Sequence, residues 1–187
     1  MFQVDPVKLY ISLIYREEPA RTEAKELMIR RWGAIESESD PVPYNPPDKL
    51  KEEMGIPLFR TFISFQRLID PGEISLVKMG CIGLEERLRH QGKRLVNLDP
   101  GYVDSSKAII TTTHGGPAKL YHSAGIYLDM VLLFPKGKCQ ALPWSLPDFK
   151  AQTYDETFQA LHTVYKTQLA ATKSSMANLA KKQELKK

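Results

Sequence analysis

Hydrophobic and polar positions along this chain alternate with two different periods, and the changes of period mark its elements. Val7, Leu9, Ile11, Leu13 and Tyr15 fall on every second residue, the pattern of a strand over 7–15 with one buried face. From Pro19 the period lengthens. Ala20, Ala24, Leu27 and Met28 form a helical stripe over 19–32, with proline in the first turn and Gly33 placed to end it. A short strand is expected over 34–42, then an irregular segment over 43–57 that contains Pro46, Pro47 and Pro57. Phe59, Thr61, Ile63 and Phe65 restore the alternation over 58–68, which puts Arg60 on the outward side. Asp70-Pro71-Gly72-Glu73 carries the cap, proline and acid of a helix start, and Ile74, Val77, Cys81, Leu84 and Leu88 follow at steps of three and four. Residues 94–98 read as a strand running into a turn at Asp99-Pro100-Gly101.

The order β-α-β-β-α-β predicts a split β-α-β (ferredoxin-like) antiparallel sheet with both helices on one face. Further strands are expected at 106–113, 118–134 and 138–142, joined by turns at His114-Gly115-Gly116-Pro117 and Pro135-Lys136-Gly137, so that a C-terminal β-hairpin extends the sheet. Thr153 and Glu156 have capping-box spacing for a last helix, whose stripe is Tyr154, Phe158, Leu161, Tyr165 and Leu169. The expected fold class is therefore α+β: one domain over 1–170 and a basic tail over 171–187, partly helical or disordered.

Charge changes this picture little. The chain carries a formal +4, but from Lys173 onward five lysines face only Glu184, so the excess sits in the tail and residues 1–172 balance. A duplex-binding face concentrates its Lys and Arg on the folded body, so nucleic acid is not an expected partner. No apolar run is long enough to cross a membrane, and the first residues lack a basic stretch followed by an apolar one, so a cytoplasmic protein is expected. Cys81 and Cys139 are read as buried, reduced thiols. The chain has no G-x-x-x-x-G-K-[ST] loop, no H-E-x-x-H and no G-x-S-x-G elbow, and neither metal nor cofactor is expected.

Pro6-Val7-Lys8-Leu9, Glu52-Glu53-Met54-Gly55, the run FISFQRLIDP at 62–71, VNLDPGY at 96–102, Gly125-Ile126-Tyr127 and LPWSLPDF at 142–149 form an ordered set. Together they resemble a bacterial family known as domain of unknown function 4416, over about residues 6 to 168. The resemblance implies a soluble bacterial protein with no established activity. The chain departs from the family pattern at Cys81-Ile82, at His114 and at Asp129, where the family has a glutamate; the carboxylate survives that change.

Parity along 118–134 suggests where chemistry could lie. Leu120, Ala124, Ile126, Leu128, Met130 and Leu132 would form a core face. Lys119, Tyr121, Ser123, Gly125, Tyr127 and Asp129 would form a polar-aromatic one, with Asp99, Tyr102 and Lys107 within reach. The candidate ligand-binding residues are thus Asp99, Tyr102, Lys107, Lys119, Tyr121, Tyr127 and Asp129. The expected function is binding of a small polar or anionic molecule, with catalysis left open. The competing reading makes this face bare sheet surface and the protein an interaction module or homo-oligomer.

Overall fold

The structure, a computed structural model, describes the backbone of residues 4–184 and the side chains of residues 4–178. Among the described residues nine strands form one antiparallel sheet: β1 (Val7–Tyr15), β2 (Ile35–Glu38), β3 (Val42–Tyr44), β4 (Leu58–Ile69), β5 (Val96–Val103), β6 (Lys107–Thr112), β7 (Lys119–Ser123), β8 (Ile126–Leu133) and β9 (Gln140–Ala141). Their main order is β2-β4-β1-β5-β6-β8-β7, with β3 added to β4 and β9 to β8. The α+β class and the antiparallel sheet expected from the pattern are present, in a sheet larger than the pattern suggested.

Helices cover both faces. α1 (Glu18–Trp32) and α3 (Ile74–Arg87) lie on the side of Val7, Leu9, Ile11 and Leu13, in a core completed by Ile63, Phe65, Val96 and Leu98. Gly33, at φ 95°, ends α1 in a conformation open to glycine and donates its N–H to the Ile29 carbonyl at 2.9 Å. α5 (Asp155–Glu184) and the short α4 (Pro147–Lys150) lie on the other side, where Tyr10, Phe149, Tyr154 and Phe158 pack around Phe62. Each of these large side chains, removed from water, contributes about 1.5–3 kcal/mol. All nine residues of β1 are therefore buried, even those at polar positions. Lys8, fully enclosed, pairs with Glu36 and donates to the Phe65 carbonyl at 2.6 Å and to Gln168 of α5 at 2.9 Å.

Three expectations need correction. The stretch 43–57 is not irregular throughout. It holds β3 and α2 (Asp48–Met54), because Leu50 and Met54, one turn apart, pack on Ile14 and Leu58. Residues 118–134 are not one strand but a hairpin, β7 and β8, turned at Ala124 and Gly125, whose φ values of 51° and 75° suit a two-residue connection. Asp99-Pro100-Gly101 is not a turn: β5 runs straight through it, paired along its length with β1. Gly101 is required there, since a Cβ would stand 2.1 Å from the Ile109 carbonyl oxygen and 2.5 Å from the Tyr10 ring.

In the C-terminal segment, α5 continues past Leu169, and its residues 170–178 are exposed except for the half-buried Thr172. The tail expected over 171–187 is thus helical through Glu184, and Lys173 pairs with Asp5 at 2.7 Å. The remaining tail lysines, 181, 182, 186 and 187, lie outside the described side chains.

Candidate functional site

The site begins with a split in the sheet. β5 pairs with β6 only at Gly101, Tyr102 and Val103; from Pro100 back to Val96 the strands part, while β6 stays paired with β8 as far as Thr112. The backbone groups that β6 would have matched need other partners. Pro100 has no N–H to satisfy, and its carbonyl accepts from the Thr111 hydroxyl at 2.7 Å. The Leu98 N–H donates to Glu85 at 2.5 Å, and the Leu98 carbonyl accepts from Lys78 at 2.9 Å. Lys78 and Glu85 are buried residues of α3, two turns apart on one side of the helix, and both reach the open edge of β5.

Past that edge lies a cleft of about 380 Å³, opening on the face of α2 and α4. Its apolar walls include Ile14, Tyr44, Leu50, Ile110 and Leu146, and its polar groups include Arg60, Asn97, Asp99, Thr111, Lys119 and Asp129. Lys78 comes through the split to donate to Asp99 Oδ1 at 2.6 Å, and Asn97 donates to Oδ2 at 2.5 Å. Burial alone would raise the Asp99 carboxyl, but the Lys78 ammonium and these hydrogen bonds hold it below the ordinary aspartate value. Arg60 donates to Asp148 at 2.5 Å and to Ser12 at 2.9 Å, with the Tyr44 ring 4.6 Å from its guanidinium carbon. Arg94 joins Glu85 at 2.5 Å to Glu53 of α2 at 3.1 Å.

Asp129 is the exception to this pairing. It is 7% exposed, and its Oδ1 is buried without a hydrogen-bond partner. Its nearest cation, Lys119, stands directly across the β7–β8 pair at 3.9 Å, beyond hydrogen-bond reach. Burial pushes the Asp129 carboxyl up, and Lys119 offsets this only in part. Glu36 Oε2 likewise lacks a conventional hydrogen bond, but it forms the ion pair with Lys8 and so is compensated.

Of the seven candidates from the sequence, Asp99, Lys119 and Asp129 meet in this cleft. Tyr102 and Lys107 do not. Tyr102 points into the α1/α3 core, and with Lys107, which pairs with Asp104, it borders a separate hollow near Tyr165. Tyr121 and Tyr127 pack edge to face, centroids 5.5 Å apart, on the outer hairpin and away from the cleft lining. Gly125 does not separate them along one strand, since it lies in the turn. Arg60, expected outside, is 2% exposed, because the second face of the sheet is covered as well. Two signals pointed to the residues that parity missed. Lys78 and Glu85 flank the apolar stripe of Ile74, Val77, Cys81 and Leu84, and Phe62 and Leu58 occupy the supposedly outward positions of β4.

These features define a class of protein: a mixed α+β fold with a large open antiparallel sheet and a polar cleft where two of its strands part. The chain belongs to the family described as Domain of unknown function (DUF4416), whose model matches residues 5–165. No curated protein and no solved structure matches it. Among the described residues no helix is long and apolar enough to cross a membrane, and no group of three or more His, Cys, Asp or Glu is placed to hold a metal ion.

Proposed function

We propose that this protein binds a small polar molecule in the cleft between β5 and β6, with Asp129 as its recognition group. One observation carries the reading: a carboxylate oxygen enclosed by protein, without a donor, on the wall of a cleft whose other carboxylates are all matched. An unmatched buried acceptor of this kind costs about 1–3 kcal/mol, and a bound molecule that engages the carboxyl recovers it. The volume lies in the range of small-molecule sites, and the mixture of apolar wall and few polar groups is typical of them. The four strands β2-β4-β1-β5, with α1 and α3 on one face, support reading the first half as the split β-α-β arrangement. Two unpaired cysteines support a reducing, cytoplasmic setting, and the family resemblance supports a bacterial one.

The test is a thermal-shift screen of metabolites on the wild type and Asp129→Ala. A compound that raises the melting temperature of the wild type and leaves the variant unmoved supports the reading. Equal shifts in both proteins, or no shift of the wild type across the panel, overturn it.

A second reading, self-association, draws on Leu120 and Tyr121, which are 69% and 63% exposed on the edge strand β7. Light scattering across a concentration series tests it, and a monomer throughout removes it.

A further inference from the structure

Asp129 differs from every other carboxylate at the cleft in how it is compensated. Glu53 and Asp99, the other carboxylates of the lining, each have a cation within 3.1 Å, namely Arg94 and Lys78, and Arg60 of the lining is held by Asp148 behind it. Asp129 has Lys119 at 3.9 Å and an oxygen with no donor. An ionised carboxylate in that position lacks the hydrogen bonds that make burial of a charge tolerable, whereas a neutral carboxyl group needs far fewer.

The neighbouring elements offer it no better partner. Tyr10 of β1, close enough to feel its charge, donates its hydroxyl to the Ile109 carbonyl at 3.0 Å. Arg60 of β4, Arg94 before β5, and Asp99 of β5 are committed to the pairs above, as is Glu53 of α2. The loosely held cation Lys119, the exposed Lys49 of α2 and His114, in the turn after β6, also line the cleft, as does Tyr44 of β3, whose ring lies against Arg60. An incoming ammonium group would meet Lys49 and Lys119 along the same cleft. An incoming oxyanion would be attracted by both.

We propose that Asp129 meets its ligand as a neutral carboxylic acid, donating its O–H to an oxyanion, a carboxylate or phosphate group, that Lys119 and Lys49 draw into the cleft. This rests on the binding reading above and assigns the ligand class. The burial that raises the Asp129 carboxyl favours the neutral form. Binding then takes up a proton whenever Asp129 starts ionised. Affinity is constant below the pKa of Asp129 and falls by about tenfold per pH unit above it. The carboxyl proton stays on Asp129, and no bond to the ligand is made or broken.

The experiment uses probes whose own charge does not change over the range: sulfate standing for phosphate, acetate for carboxylates and ethanolamine for amines. Melting temperatures are read at about pH 6 and about pH 8.5, at matched ionic strength. The full chain, Asp129→Asn and Asp129→Leu are compared. The expected result is a shift by sulfate or acetate that shrinks at the higher pH in the wild type. It persists at both pH values in Asp129→Asn, whose amide still donates, and disappears in Asp129→Leu. An oxyanion shift that grows with pH, that is equal in Asp129→Leu, or that is missing from the wild type overturns the proposal. A shift by ethanolamine alone, growing with pH and absent from Asp129→Leu, overturns the oxyanion assignment while leaving ligand binding at the cleft in place.

Discussion

Asp99 and Asp129 face one cleft and are held in opposite ways. Both oxygens of Asp99 accept a close hydrogen bond, and Lys78 crosses the plane of the sheet to reach it. One oxygen of Asp129 accepts nothing, and its cation is a strand away. The Asp99 cluster is explained by the fold: where β6 leaves β5, α3 supplies the missing partners, so these charges close a sheet edge. The Asp129 arrangement is not explained by the fold. A satisfied buried charge is sufficiently accounted for by structure, and an unsatisfied one beside a cleft calls for a ligand or a proton.

The largest expected effect comes from breaking the matched side. Lys78→Ala leaves the Asp99 carboxylate and the Leu98 carbonyl without their donor and should lower stability by about 3–5 kcal/mol, read from urea unfolding at neutral pH. Pairing it with Asp99→Asn should restore part of the loss, since the abandoned charge is then removed.

On the unmatched side the sign reverses. The folded-state value of Asp129 lies above the unfolded value of about 3.9, so its ionisation favours unfolding as pH rises through that window. Asp129→Asn should therefore stabilise the protein by about 1–2 kcal/mol near pH 8, and the gain should vanish near pH 4. Asp99 runs the other way. Its folded value is depressed, so its contribution is present above about pH 3.9 and is lost as pH falls through the folded value. Unfolding curves of Asp99→Asn and Asp129→Asn across that range should consequently diverge from the wild type at neutral pH in opposite directions. Parallel behaviour would erase the contrast.

Smaller effects sharpen the picture. Lys119→Met removes a distant, partly exposed cation and should cost less than about 1 kcal/mol. Smallest of all, Leu120→Lys, on an exposed edge, should change stability by no more than about 0.5 kcal/mol in a monomer. A larger change, dependent on protein concentration, would favour self-association.

Much of the fold was legible because it is local. The stripe of α1 and the cap of Asp70, whose side chain accepts from the Gly72 N–H at 2.7 Å, announce themselves within a few residues. So do the odd-numbered positions of β1. The site was legible only in part. Asp129 and Lys119 stood out by parity and do face each other across the hairpin, although the turn between them was missed because Ala124 carries no turn signature. Tyr102 was misplaced because its parity on β5 points it to the opposite face from Asp99. Asp-Pro-Gly looked like a turn because nothing local reveals that β6 departs there, leaving the proline with no hydrogen bond to supply.

By itself the chain of residues determined α1, α3, the start of α5 and the strands β1, β4 and β6, and which side of β1 is most apolar, since period and capping act over one or two turns. Only the tertiary structure decided that the second face of the sheet is also covered, that Arg60 and Asp129 are therefore buried, and that Lys78 reaches Asp99 between two parting strands. Those outcomes depend on contacts between residues 20 to 90 positions apart, such as Lys78 with Asp99 and Arg60 with Asp148, and a distant partner leaves no periodic trace beside the residue it will meet.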